Sequence, residues 1–155
     1  MAPLGYHSLN VKGAAHLTLG DTNEAERSFA ASTFANGHHA ETYNNWGILL
    51  QRRNQHESAI SKFSFSLTLN PKFPQPLFNT GMSLYATKNI ERAVGYFAAA
   101  VDLDGLYVRA YANWALALHA IGRGETATLA LQEALRLEPQ NGEVLAIVSQ
   151  LKREL

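Results

Sequence analysis

Residues 43–71 carry their apolar side chains in two blocks. Tyr43, Trp46, Gly47 and Leu50 form the first, and Ala59 and Phe63 form the second, ahead of Pro71. At about 100° of rotation per residue, each block gathers on one face of a helix. The pattern therefore predicts two helices packed against each other. Gly47 is small enough for the partner helix to approach closely, and Ala59 followed four residues later by Phe63 sets a small and a large side chain on the facing surface.

The same pattern recurs every 34 residues. One period earlier it falls on Leu9, Gly13, His16, Ala25 and Phe29, in residues 6–39. One period later it falls on Leu77, Gly81, Leu84, Ala93 and Phe97, in residues 74–107, and then on Tyr111, Ala115, Leu118, Ala127, Leu131 and Pro139, in residues 108–141. Four units keep one phase without an insertion. Gly20, Asn54 and Gly122 mark the turn inside a unit, being residue types that accept the left-handed conformation at a helix end. The third unit has Lys88 there, followed by Asn89, which predicts a turn shifted by one residue. Asp21 with Glu24, and Asn54 with Glu57, read as capping boxes. Pro71, Pro74 and Pro76 end one helix and begin the next.

Residues 142–155 drop the motif but keep a helical apolar stripe at Val144, Val148, Leu151 and Leu155, with Glu143, Gln150, Arg153 and Glu154 on the other side. Such a helix suits the exposed end of a stack. At the other end, Lys12 fills the place held by Trp46 and Trp114, as expected of an end unit facing water.

These spacings resemble the tetratricopeptide repeat (TPR), a helix–turn–helix unit with the pattern W-x2-L-G-x2-Y, A-x3-F and a closing Pro. Here Tyr43 stands for the tryptophan, Trp46 for the leucine and Leu50 for the tyrosine. The resemblance implies an all-α fold, a right-handed α-solenoid of four TPR units with a C-terminal capping helix. The expected organisation is a single TPR domain over residues 1–155, with repeats 6–39, 40–73, 74–107 and 108–141 and a cap at 142–155.

Composition narrows the function classes. The chain is 46% hydrophobic and 17% charged, enough to build a core. With no cysteine it has no disulfide, thiolate metal site or cysteine nucleophile. Thirteen basic and thirteen acidic side chains cancel, removing the electrostatic footprint of a nucleic-acid binder. No stretch approaches the roughly 20 apolar residues of a membrane span, and no leader pattern opens the chain, so the expected location is cytoplasmic.

Chemistry for catalysis is missing. None of the six histidines forms a metal-binding pair with an accompanying general base, and His38 and His39 read as solvated loop residues. Asp102 and Asp104 lack a partner acid or nucleophile. The expectation is a non-enzymatic protein with no cofactor and no metal.

Function is then sought on the side of each first helix turned away from its partner, which the resemblance identifies with a concave groove. That side carries His7, Asn10, Val11, Ala14, Leu17 and Thr18 in the first unit, and Glu41, Asn44, Asn45, Ile48, Gln51 and Arg52 in the second. It continues through Gln75, Phe78, Asn79, Met82, Tyr85 and Ala86, then Arg109, Ala112, Asn113, Leu116, His119 and Ala120. Asn45, Asn79 and Asn113 recur at intervals of 34 and would form a ladder of carboxamides able to pair with a peptide backbone. This resembles the asparagine ladder in the TPR domain of O-GlcNAc transferase. The alternative is that these amides bond only within the stack.

Ile48, Phe78, Met82, Tyr85 and Leu116 would form an apolar patch for a partner's side chains, unless neighbouring repeats or the terminal helix cover part of it. Arg52 and Arg109 would orient acidic groups of the ligand. The carboxylate clamp that some TPR domains use on heat-shock chaperones is matched only at Asn79, with Arg109 a basic substitute. The sequence thus predicts an adaptor, scaffold or co-chaperone module holding an extended or helical segment of a protein partner. The alternative is a scaffold that assembles with copies of itself through the stack ends or convex face.

Overall fold

The computed structural model describes residues 5–153. Leu155, last in the predicted terminal stripe, and Glu154 lie outside them. Among the described residues there are nine helices and no strand: α1 Tyr6–Leu19, α2 Thr22–Ala35, α3 Ala40–Arg52, α4 His56–Leu69, α5 Pro74–Ala86, α6 Ile90–Leu103, α7 Val108–Ala120, α8 Gly124–Leu137 and α9 Gly142–Arg153. The chain forms two compact units, residues 1–79 and 80–155, the division falling within α5.

Each helix pair is joined by the same C-cap. Gly20, Asn54, Lys88 and Gly122 take φ values of 83°, 58°, 65° and 78°. The next amide reaches back to close the last turn: Asp21 N to His16 O at 2.9 Å, Gln55 N to Leu50 O at 2.9 Å, Asn89 N to Leu84 O at 2.8 Å and Arg123 N to Leu118 O at 2.9 Å. That six-residue bond pattern satisfies otherwise orphaned carbonyls at the helix end. The shift expected in the third unit does not occur. Lys88 itself adopts the left-handed conformation, because the hydrogen-bond geometry of the turn outweighs the strain on its Cβ.

One expected capping box is present in half. Asp21 accepts from the Glu24 amide at 3.2 Å. The other is absent: Gln55, not Asn54, precedes α4, and it makes no side-chain cap. Asn54 has already been used one residue earlier, at the left-handed position. The second helices end at Asn36, Asn70, Asp104 and Glu138, the first three in extended backbone. Three of those side chains accept from the amide two residues on, at His38, Lys72 and Leu106, and so turn the chain toward the next helix.

In the first unit Leu17, Ala25, Phe29, Leu49, Leu50, Ala59 and Phe63 form the core. In the second, Val108, Ala112, Ala134, Val144, Ile147 and Leu151 seat α9 on α7 and α8, and Ala115, Leu118, Ala127 and Ala130 join α7 to α8. Where a Cβ on Gly13 would stand, Phe29 Cε1 is 2.5 Å away, and for Gly81 the Phe97 Cε1 is 2.7 Å away. Glycine is required at these places because the aromatic ring occupies the volume of a side chain.

Ser32, Thr42 and His39 form a chain of hydrogen bonds. Ser32 donates to Tyr6 O at 2.7 Å, so its oxygen must accept from Thr42 at 3.0 Å. The Thr42 hydroxyl proton is thereby used, and His39 Nδ1 donates to Thr42 Oγ1 at 2.7 Å. This places a proton on Nδ1 of His39 and corrects its reading as a solvated loop residue, which holds only for the exposed His38.

Candidate peptide-binding surface

The outward arc of the first helices is narrower than the sequence pattern suggests. The fifth place of every unit is buried: Asn10 is 4% exposed, Asn44 5% and Phe78 2%, with Ala112 fully covered. Phe78 therefore leaves the predicted apolar patch, and Asn44 leaves the set of groups facing solvent. The ninth place stays half-open at Ile48, Met82 and Leu116, and the twelfth at Gln51, Tyr85 and His119. The second and thirteenth are exposed, at Glu41 and Arg52 on α3 and at Arg109 and Ala120 on α7.

The carboxamides do not bond to one another in a single file. Asn45 Nδ2 donates to Asn10 Oδ1 at 3.0 Å, and Asn79 Nδ2 donates to Asn44 Oδ1 at 3.0 Å. Each sixth-place amide thus reaches the fifth-place amide of the preceding unit. This pairing was visible in the sequence as Asn10 and Asn44, a second pair 34 apart that the ladder reading passed over. In Asn113 the pattern changes, since the fifth place one unit earlier is Phe78, which offers no acceptor. Asn113 Nδ2 instead donates to Glu143 Oε1 of α9 at 3.0 Å and to Arg109 O at 2.9 Å, and the residue is 8% exposed.

Asn45 and Asn79 differ from Asn113 in remaining half-exposed. One N–H of each is held by the neighbouring unit, which fixes the plane of the carboxamide. Its oxygen and second N–H are then oriented by a bond already made.

The two arginines are engaged by the fold. Arg52 Nη1 donates to Leu17 O in the last turn of α1, where the helix presents partial negative charge. Its neighbour Arg53 pairs with Glu26 Oε2 at 2.6 Å and with Asn23 Oδ1 at 3.0 Å. Arg109 Nε lies 3.0 Å from Glu143 Oε2. Both cations expected to orient a ligand's acids therefore already have acceptors inside the chain. Gln51 Nε2 likewise donates to Asn79 O at 2.7 Å.

Away from this surface, Lys62 sets its Nζ 3.7 Å from the Trp46 ring centroid and 5.8 Å from that of Tyr43. Burial pushes its proton affinity below the ordinary lysine value, opposed by the negative charge of Glu26. Among the described residues no group of three or more histidine, aspartate or glutamate side chains is placed to hold a metal ion. No helix there is long and apolar enough to cross a membrane.

Paired helices in one repeating register, with a half-open amide and apolar face, define a helical-repeat interaction fold. A tetratricopeptide repeat profile matches residues 44–108 and 78–142, and the chain belongs to that family. Its fold class is the all-α helical-repeat solenoid, shared with the Cut9 complex of the crystal structure "APC/C hetero-tetramer Cut9-Hcn1" at a TM-score of 0.84. That alignment is 18% identical and covers 95% of this chain and 30% of the other. YrrB, described as a TPR protein with an unusual peptide-binding site, matches with a TM-score of 0.75 and 20% identity, over 88% of this chain and 71% of its own. In sequence, the UDP-N-acetylglucosamine–peptide N-acetylglucosaminyltransferase of Giardia intestinalis is 25% identical over 118 residues, 76% of this chain. The chain spans only 8% of that protein's length.

Proposed function

We propose that the protein is a non-enzymatic interaction module that binds an extended peptide segment of a partner protein at the amide-bearing first helices of residues 5–79. The observation that carries this reading is the state of Asn45 and Asn79. Each carboxamide is tied at one N–H, and each residue is half-exposed. A side chain already held in place loses little entropy on binding, so its remaining donor and acceptor serve a peptide backbone at low cost. Ile48 lies three residues beyond Asn45, so that amide has an apolar neighbour on its own helix for the ligand's side chains. Peptide recognition in the similar YrrB supports the same use of this fold.

Selection from a random peptide library on the immobilised protein, followed by calorimetric titration, tests this. Wild type is expected to bind the selected peptides, while Asn45→Ala and Ile48→Lys each weaken them by about tenfold, on the scale of a well-placed contact. Wild-type affinity retained by both variants, with native circular dichroism, would show that the peptides bind elsewhere.

A further inference from the structure

The Lys62 ammonium sits over the face of Trp46, 3.7 Å from its centroid, and no carboxylate among the described residues pairs with it. Glu26, the acid whose field reaches it, already holds Arg53 at 2.6 Å. Lys62, Arg53 and Glu26 together therefore keep one net positive charge. An ammonium has three N–H donors, and a ring face answers its charge without giving them an oxygen acceptor. Beside it opens a cavity of about 330 Å³, walled by Tyr43, Ser61, Lys62 and Phe65. Tyr43 and Phe65 meet edge to face with ring centroids 4.5 Å apart, and Phe65 is 45% exposed. The stack does not require these side chains. The place of Lys62 holds Ser28, Tyr96 and Ala130 in the other repeats, and that of Phe65 holds Ala31, Ala99 and Glu133.

We propose that this cavity binds a small aromatic carboxylate, with its ring against Phe65 and Tyr43 and its anion on the Lys62 ammonium. Charge selects the anion. A carboxylate carries one negative charge and neutralises the cluster, whereas a phosphate monoester carries about −1.5 to −2 and overshoots it. Size selects the body, since about 330 Å³ is at the lower end of ligand cavities and suits a single ring with a short arm. The exposed Phe65 ring offers that body a further edge-to-face or offset contact. Burial has lowered the proton affinity of Lys62, and an anion beside it favours the charged form again. Ser61 adds selectivity. Its hydroxyl donates to Glu57 O at 3.1 Å, so its oxygen is left only to accept, which favours a ring that bears an O–H or N–H. The site lies in the second of four repeats and shares no residue with the amide-bearing stripe of the first helices.

4-Hydroxyphenylacetate is the probe, titrated at neutral pH into the isotope-labelled full 155-residue protein and followed by NMR. The indole N–H signal of Trp46 is expected to shift saturably, with a Kd on the order of 1 mM, the scale of so small a ligand. The signal of Trp114, whose repeat has Ala130 in the place of the lysine, stays unchanged. The neutral alcohol 2-(4-hydroxyphenyl)ethanol binds about tenfold more weakly, as expected for loss of a charged hydrogen bond, and phenylacetate, which lacks the hydroxyl, about threefold more weakly. Lys62→Met reduces affinity for the probe about tenfold and Phe65→Ala about threefold. Ile48→Lys leaves it unchanged, and Lys62→Met leaves the selected peptides bound, so this proposal and the peptide reading fail separately. Phe65 is exposed, so circular dichroism of Phe65→Ala stays native; should Lys62→Met misfold, the comparison of acid with alcohol on the wild type still decides. No saturable shift, equal affinity for the acid and the alcohol, tighter binding of phenyl phosphate than of phenylacetate, or affinity indifferent to both variants overturns the proposal. Equal affinity for phenylacetate overturns the role given to Ser61.

Discussion

The ring of Phe63 occupies the space that a side chain on Gly47 would need, with Cε1, Cδ1 and Cζ all in contact with the place of the missing Cβ. The same glycine–phenylalanine relation holds for Gly13 with Phe29 and Gly81 with Phe97, while the fourth unit has Ala115 and Leu131 instead. One methyl group is gained on the first helix where the ring is lost from the second.

From this exchange, Gly47→Ala is expected to destabilise the protein by about 1–3 kcal/mol through overpacking. Combining it with Phe63→Leu, as in the fourth unit, recovers part of that loss. Urea unfolding of the two single variants and the double variant checks the coupling, expected at about 0.5–3 kcal/mol in the favourable direction. Strict additivity would mean that the two side chains do not share the space.

Lys88 is the non-glycine residue with the largest positive φ, 65°, among the described residues. Lys88→Gly is expected to stabilise by about 1 kcal/mol, the strain a Cβ adds in that region less the added freedom of the unfolded chain. Gly122→Ala makes the converse test. A Cβ there meets nothing within 4 Å, so its expected loss of about 1 kcal/mol is purely conformational. Thermal unfolding of both variants measures the pair.

Asn79→Ala leaves the buried Asn44 Oδ1 without the donor it has at 3.0 Å. A loss of about 1–3 kcal/mol is expected, the desolvation cost of an unpaired buried acceptor. Adding Asn44→Ala should cost less than the sum of the two single changes, read from chemical denaturation. A fully additive result would mean that the bond contributes nothing to stability.

Lys62 sits on Trp46 with its ammonium partly removed from water, and its proton affinity is lowered by that burial. The native state therefore releases this proton at a lower pH than the unfolded chain. This group's contribution makes the protein more stable as pH rises from below its folded value toward 10.5. In a Trp114→Phe background, Trp46 fluorescence is expected to show a step below pH 10.5 that Lys62→Met abolishes. A step that persists without Lys62 would assign it to another group.

Several structural details were readable in the residues and others were not. Gly20, Asn54 and Gly122 announced their turns by residue type. Lys88 did not, because a turn imposed by its neighbours overrides a local preference worth about 1–2 kcal/mol. Asn45 and Asn79 were legible as special from their interval, yet their bonds to Asn10 and Asn44 required knowing which helix lies alongside. Glu143 gave no signal as the acceptor for Asn113 and Arg109, because it lies on the helix that drops the repeat motif.

By itself, the order of residues determined the helices, their register and the packing face of each pair, since those depend on rotation per residue and on volumes repeated every 34 positions. Tertiary structure decided which outward residues stay open. The fifth and sixth places are neighbours on the same arc of one helix, and periodicity treats them alike. Only the approach of another helix buries Asn44 and leaves Asn45 half-exposed, because burial depends on what lies across from a side chain as well as on its angle about its own axis.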